Sequence, residues 1–233
     1  MKSYYNYEYR IFSECGPKWK NEDTAAAVNI NMPHEALFIV CDGMGGHKNG
    51  DIASRTIVGA FTRFWEENVD YPLCKGKIIN AAEYAMAALS DCPFQEGGTT
   101  MAMIAIQNNR LYTAHCGDSR IYYCFSHYDR SNVIAGHLRD HILLTPEGWP
   151  YVAKGFVRND ADYIPEIHEF KTGFRQGDRF LICSDGVYNS FNSNEITDLL
   201  KSHIDIDELR DTIYERCKKS ARDNYSAIII QFT

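Results

Sequence analysis

Five acid-bearing motifs lie along almost the whole chain: Asn21-Glu22-Asp23, Asp42-Gly43-Met44-Gly45-Gly46-His47, Gly117-Asp118-Ser119-Arg120, Ser184-Asp185-Gly186 and Asp223-Asn224. Three of them directly follow apolar, strand-like runs at 37–41, 112–116 and 180–183. A carboxylate set where a buried strand runs out can reach a shared cleft. Several carboxylates there repel one another unless a cation lies between them. The pattern therefore predicts a metal site. Its ligands are hard oxygens, which suit Mg2+ or Mn2+, and no histidine pair or cysteine cluster has zinc-like spacing. If Glu22, Asp42, Asp185 and Asp223 converge, two ions sharing one carboxylate would hold a water of lowered pKa, suited to in-line attack on phosphorus. Gly43, lacking a side chain, would let its backbone carbonyl come close to an ion, and Gly186 would open the turn after Asp185. Taken singly, an Asp-Gly pair is usually no more than a turn.

The rest of the composition narrows the function classes. The 233 residues are 45% hydrophobic and 24% charged, as in ordinary globular proteins. A formal net charge of -7 and the lack of a basic stripe argue against nucleic acid as a partner. No apolar run near a terminus is long enough to span a bilayer, and the first ten residues lack the apolar core of a signal peptide. Cys41, Cys116 and Cys183 end strand-like runs, where cysteine acts as a small hydrophobe. The eight cysteines are thus expected to be mostly thiols in a reducing cytoplasm.

The elements that must position the acids follow from periodicity. Residues 4–12 alternate, with Tyr5, Tyr7, Tyr9 and Ile11 on one face, and predict a half-buried strand. A strand at 36–41 is followed by amphipathic helices at 50–69 and 77–90. Strands are predicted near 99–107, 110–116 and 120–125, the first two joined by a tight link at Gln107-Asn-Asn-Arg110. Residues 126–178 form the least regular stretch. A strand at 179–183, helices at 193–202 and 206–220, and a strand at 225–232 complete the chain. The last strand is apolar on both faces and so reads as central in a sheet. This order suggests two packed sheets with helices outside.

With these motifs in view, the chain resembles the metal-dependent protein phosphatases of the 2C type, especially their bacterial branch. The resemblance rests on Asn21-Glu-Asp23, Val40-Cys-Asp-Gly-Met-Gly-Gly-His47, Gly98-Thr-Thr100, Gly117-Asp-Ser-Arg120, Leu181-Ile-Cys-Ser-Asp-Gly186 and Asp223-Asn224, in that order. It implies an α+β fold: a four-layer αββα sandwich, two antiparallel sheets flanked by helix pairs, in a single phosphatase-like domain over 1–233. It also implies two Mg2+ or Mn2+ ions, with a third in some states. Asp42 would bridge the two ions, with Glu22 and the Gly43 carbonyl on one and Asp185 and Asp223 on the other. Asp42 and Asp185 are then the catalytic pair, and Asp23 supports the site through a water. Asp118 matches a third, weaker position shared with Asp185; its alternative reading is a structural turn carboxylate.

The chain also departs from the pattern. Lys18 stands where the family has a phosphate-binding arginine, and lysine lacks the two-pronged donor geometry. Lys18 is read as a phosphate ligand or, equally, like Lys20, as a solvated surface charge. Met44 stands where eukaryotic members carry a histidine, and His47 nearby reads as a loop residue. After Leu144-Thr145, where the family has an Asp-His pair and a helical flap, this chain has Pro146-Glu-Gly-Trp-Pro150 and a shortened interval. Val152-Ala-Lys-Gly-Phe156 and Arg158-Asn159 read as a remnant of the missing segment, and Trp149 and Tyr151 as loop packing or as cleft rim. Ser226 replaces a usual threonine. The expected function is a serine/threonine phosphoprotein phosphatase. It would act as a cytoplasmic monomer on proteins phosphorylated by a Ser/Thr kinase, with neither nucleic acid nor membrane as partner. The alternatives are a pseudophosphatase that binds phosphoproteins and a phosphatase of small metabolites.

Overall fold

A computed structural model describes residues 6–28, 35–44, 48–108, 110–126, 133–158, 162–170 and 174–233. Two five-stranded antiparallel sheets face each other. The first runs in the order β1 (Tyr7–Glu14), β14 (Tyr225–Phe232), β13 (Arg179–Cys183), β7 (Arg120–Ser126) and β8 (Val133–His137). The second runs β12 (Glu166–Phe170), β6 (Arg110–Cys116), β5 (Met101–Gln107), β3 (Glu35–Cys41) and β2 (Thr24–Val28). Helices α1 (Gly50–Glu67) and α2 (Lys75–Ser90) cover the second sheet. The outer face of the first carries α3 (Asp185–Tyr188), α4 (Glu195–Lys201) and α5 (Ile206–Ser220). Two short ribbons, β4 (Gly98–Thr99) with β11 (Phe156–Val157) and β9 (Ile142–Leu144) with β10 (Pro150–Val152), complete the architecture. This is the expected four-layer αββα sandwich.

Side-chain alternation divides the core among the layers. On β3, Phe38 and Val40 enter the space between the sheets with Ile104, Ile121, Ile182 and Ile228. Leu37, Ile39 and Cys41 point the other way, against Ile57, Phe61 and Trp65 of α1. On the far side Leu181, Cys183 and Ile229 pack against Leu200, Leu209 and Ile213. β14 is paired along both edges, which explains why it is apolar on both faces. All eight cysteines are thiols, with no disulfide. No described helix is long and apolar enough to cross a membrane.

Several elements differ from the sequence expectation. Tyr5 lies outside the described residues. Tyr7 and Tyr9 meet Phe38 between the sheets, but Ile11 on the same face is 40% exposed, because β1 is an edge strand. Its most buried residue is Phe12 on the opposite face, beneath Tyr214 of α5. The strand near 99–107 is interrupted at Thr100, which bonds to Asp42 instead of a ladder partner. The Thr-Ala-Ala-Ala-Val strand β2 escaped prediction because alanine has little strand preference. The supposedly irregular 126–178 contains β8 to β12. Two of these, β8 and β12, are the outermost strands of their sheets, and their mixed composition suits an edge. The tight link at 107–110 is borne out, with Gln107 paired to Arg110 and Asn108 at φ 52°.

A buried charge pair anchors α2 to the second sheet. Lys77 Nζ is 2.7 Å from Glu35 Oε1 and donates to Asn68 O at 2.9 Å, with no exposed side-chain surface. It also lies 4.5 Å from the Trp65 ring centre. Removing one partner leaves the other charge buried without compensation. Lys77→Ala is expected to lower unfolding stability by about 3–5 kcal/mol in urea titration. The double variant Lys77→Met/Glu35→Gln should recover part of that loss, and a single variant of near wild-type stability would refute the assignment.

Candidate active site

Strand register brings the acidic loops to one end of both sheets. In the second sheet Thr24 pairs with Cys41, Val40 with Ala102 and Met101 with Cys116, so Glu22, Asp42, Thr100 and Asp118 leave at the same edge. In the first sheet Arg120, Cys183 and Ala227 are aligned, which places Asp118, Asp185 and Asp223 beside them. The result is a cleft of about 490 Å³ lined by Lys18, Glu22, Asp42, Gly43, Met44, Thr100, Asp118, Asp185 and Asp223, with Pro150, Tyr151 and Val152 on its wall. Every acid expected at the site lines this cleft except Asp23, which is buried behind it. Gly45, Gly46 and His47 lie outside the described residues.

Hydrogen bonds to backbone and side chains hold the acid-bearing loops. The Asp42 amide donates to Thr100 Oγ1 at 3.1 Å, and its carbonyl accepts from Thr100 N at 2.9 Å and Thr99 Oγ1 at 2.8 Å. Thr100 Oγ1 lies 2.6 Å from Ser119 Oγ, tying the Asp42 loop to the Asp118 loop. Asn224 is the central clamp. Its Oδ1 accepts from Glu22 N at 2.9 Å, and its Nδ2 donates to the carbonyls of Cys15 at 2.7 Å and Lys20 at 2.8 Å. Ser184 Oγ donates to Asp23 Oδ2 at 2.7 Å and accepts from Ser226 N at 3.0 Å. Sequence reasoning gave no such role to Thr100, Asn224 or Ser184. The signal available was their place inside or beside the acidic motifs.

Two glycines act through close packing. A Cβ on Gly43 would stand 2.5 Å from the Gly50 carbonyl carbon and 2.7 Å from Glu22 O, so a side chain would push apart the cleft floor and α1. Gly186 lies inside α3, not in an open turn as expected from the sequence. A Cβ there would meet Asn224 O at 2.0 Å. Both glycines let the acid-bearing segments touch.

The charges are mutually unfavourable. Burial, then Asp23, Asp185 and Asp118, pushes the Asp42 carboxyl well above the ordinary carboxylate range. Asp185 is pushed up to about 7 by burial and by Asp118, Asp223 and Asp23, against the lowering effect of Lys18. Burial raises Asp23 to about 6 and also raises Asp118. Asp23 Oδ1 is buried without a hydrogen-bond partner. A hard-oxygen set with raised carboxyls fits divalent cations, whose charge would restore the ionised forms.

The departures from the family pattern also acquire positions. Lys18 lies in the cleft wall with Nζ 2.9 Å from Asp223 Oδ2. Lys20 pairs with Asp51 at the start of α1. Met44 packs its sulfur and methyl against Gly98 and Gly155. Trp149 does not pack onto the sandwich: it is 71% exposed, and Tyr151 lines the cleft. An Asp-His pair does exist, ahead of Leu144-Thr145, at Asp140-His141. Asp140 receives Arg120 Nε at 3.0 Å and Nη2 at 2.7 Å. The same guanidinium lies 3.6 Å from the Tyr188 ring centre, and Tyr188 OH is 3.5 Å from Asp118 Oδ2.

Register also assembles a histidine group that sequence spacing conceals. The ligating atoms of His115, His141 and Glu166 lie within 4.8 Å of one another. His115 donates Nε2–H to Arg139 O at 2.9 Å, and His141 accepts from Gly117 N at 3.2 Å while its Nε2 faces Glu166 Oε2 at 3.1 Å. Both ring nitrogens of His141 are thus engaged, and the group braces the Asp118 loop.

Solved structures of bacterial serine/threonine phosphatases share the fold. Stp1 from Staphylococcus aureus superimposes with a TM-score of 0.80 at 22% identity, covering 100% of this chain and 98% of that one. The catalytic domain of PstP in complex with two manganese ions gives 0.75 at 23% identity over 97% of this chain and 98% of that one. In sequence, residues 20–222 match Protein phosphatase 2C, and the chain belongs to that family. Among relatives, the serine/threonine phosphatase stp of Listeria monocytogenes is 26% identical over 227 residues, covering 91% of this chain and 90% of that protein. Protein phosphatase PhpP of Streptococcus pneumoniae is 26% identical over 221 residues, covering 88% and 89%.

The raised carboxyls give a pH test on metal-free protein. Above pH 3.8 the unfolded chain releases protons that folded Asp23 and Asp185 retain, so their contribution to stability falls as pH rises through about 6 and about 7. Asp185→Asn removes its share of this loss. In EDTA, the melting temperature of Asp185→Asn relative to wild type should rise between pH 4 and pH 8, by a few degrees. A difference that does not change with pH would contradict the raised value.

Proposed function

We propose that this protein is a serine/threonine phosphoprotein phosphatase dependent on Mg2+ or Mn2+, formed as one domain over 1–233. The observation that carries the reading is the convergence of Glu22, Asp42, Asp185 and Asp223 on one cleft inside a chain of the 2C family. Glu22, the Gly43 carbonyl and Asp42 would hold one ion, and Asp42, Asp185 and Asp223 the other. Asp23 would support the site through a water, and Asp118 would hold a third ion. Bound there, the ions supply a water of lowered pKa and neutralise phosphoryl charge.

The chain's own groups do the remaining work. Asp42 and Asp185 present the central carboxylates, and the bonds of Thr100 to Asp42 and to the Ser119 hydroxyl fix the cleft floor. Lys18, beside Asp223, would meet the substrate phosphate as a point charge, giving less directional binding than an arginine fork. Arg120, held by Asp140 and stacked on Tyr188, keeps the Asp118 loop in place. The substrates are proteins phosphorylated by a Ser/Thr kinase, met in the cytoplasm by a monomeric enzyme. The relatives named as serine/threonine phosphatases support this substrate class.

Hydrolysis of a phosphothreonine peptide with Mn2+, against EDTA, tests the reading. Turnover is expected with Mn2+ and not with EDTA, and Asp42→Asn should lower kcat/KM on the order of 100-fold or more. Full activity in that variant would rule out the shared-carboxylate site. Wild-type protein that binds Mn2+ without turnover would favour a phosphoprotein-binding module instead.

A further inference from the structure

The β9–β10 hairpin is apolar where it meets solvent. Leu143, Leu144, Trp149 and Tyr151 are 56%, 67%, 71% and 47% exposed. The two strands pair only with each other, Leu144 opposite Pro150 and Leu143 opposite Tyr151. Four large apolar side chains on one exposed ribbon are costly to leave in water without a use. The ribbon is well ordered by its own bonds. Thr145 N donates to Trp149 O at 2.8 Å, Gly148 N to Thr145 O at 2.9 Å, and Ala153 N ties the base to His141 O at 2.8 Å.

Its position decides what it could meet. Pro150, Tyr151 and Val152 form a wall of the acid-lined cleft, so the exposed side chains continue directly from the place where a phosphorylated residue would enter. A second exposed aromatic, Trp19 at 92%, follows the cleft residue Lys18. Two basic groups close to the opening are paired, Lys18 with Asp223 and Lys20 with Asp51. The protein as a whole is acidic, with net charge -7. Acidic flanking residues would be repelled, whereas apolar ones would bury surface against a pre-ordered ribbon.

We propose that the β9–β10 hairpin is a docking surface for the substrate chain itself, selecting apolar side chains next to the phosphorylated serine or threonine. The proposal rests on the phosphatase reading above. Leu143 and Tyr151 share one face of the ribbon, and Leu144 and Pro150 share the other, so the hairpin holds flanking residues beside the cleft while the phosphate enters it. Catalysis is untouched: the ribbon contributes to capture, not to the chemistry.

The test compares phosphothreonine peptides that are identical except for flanks of leucine and phenylalanine, serine, or glutamate. p-Nitrophenyl phosphate, which has no flanks, reports the metal centre. Wild type should show kcat/KM about ten-fold higher on the apolar peptide than on the serine peptide, and lower still on the glutamate peptide. The variant Leu144→Ser/Trp149→Ser should reduce the apolar preference to about two-fold through KM, with p-nitrophenyl phosphate turnover unchanged. Equal kcat/KM for the three peptides in wild type, with p-nitrophenyl phosphate still hydrolysed, overturns the docking proposal alone. A variant that loses all substrates in proportion also overturns it, since the ribbon would then be structural. Sedimentation that shows wild type dimeric and the variant monomeric would assign the ribbon to self-association instead. Loss of every turnover in wild type would remove the phosphatase reading, and the proposal with it.

Discussion

Mutual repulsion among buried carboxylates is the constraint on which the rest of this structure depends. Asp23, Asp118 and Asp185 each raise the proton affinity of Asp42, and burial raises all four carboxyls. Such a set does not hold together by its own interactions. It is held because seven antiparallel strands, four from the second sheet and three from the first, begin or end at one edge and because hydrogen bonds fix the loop backbones there. The apolar layers supply the rigidity and the polar clamps the aim.

The clamps join parts of the chain that are far apart. Asn224 reaches residues 15, 20 and 22, and Ser184 reaches Asp23 and Ser226. Gly43 and Gly186 make the same joins possible by omission, since a methyl group at either would meet backbone atoms. The fold therefore carries its sharpest sequence demands on small residues beside the acids. The acids supply the charge and their small neighbours set the spacing.

Much of this was legible in the sequence because the signals are local. Strand ends marked by Asp-Gly, the helical steps of α1, α2 and α5, and the doubly apolar β14 all depend on a few consecutive residues. The edge strands β2, β8 and β12 were not legible, since half-exposed strands carry weak alternation and their pairing is decided by distant partners. The histidine group at His115, His141 and Glu166 is invisible to spacing rules because β12 must first pair with β6. The exposure of Trp149 was likewise hidden. An aromatic residue in a proline-rich loop reads as packing until the structure shows it 71% exposed.

β1 and β14 lie side by side, so the first and last strands of the sandwich are neighbours. Asp223 and the clamp Asn224 precede β14 directly, while Glu22 and Asp42 belong to the opening quarter of the chain. During synthesis on the ribosome, the early acids emerge long before the residues that hold them. A nascent chain can bury α1 and α2 against the second sheet while Asp185 and Asp223 are still apart from that edge. Their share of the crowding is thus postponed until β13 and β14 join the first sheet, and a chain lacking β14 has an incomplete acidic centre.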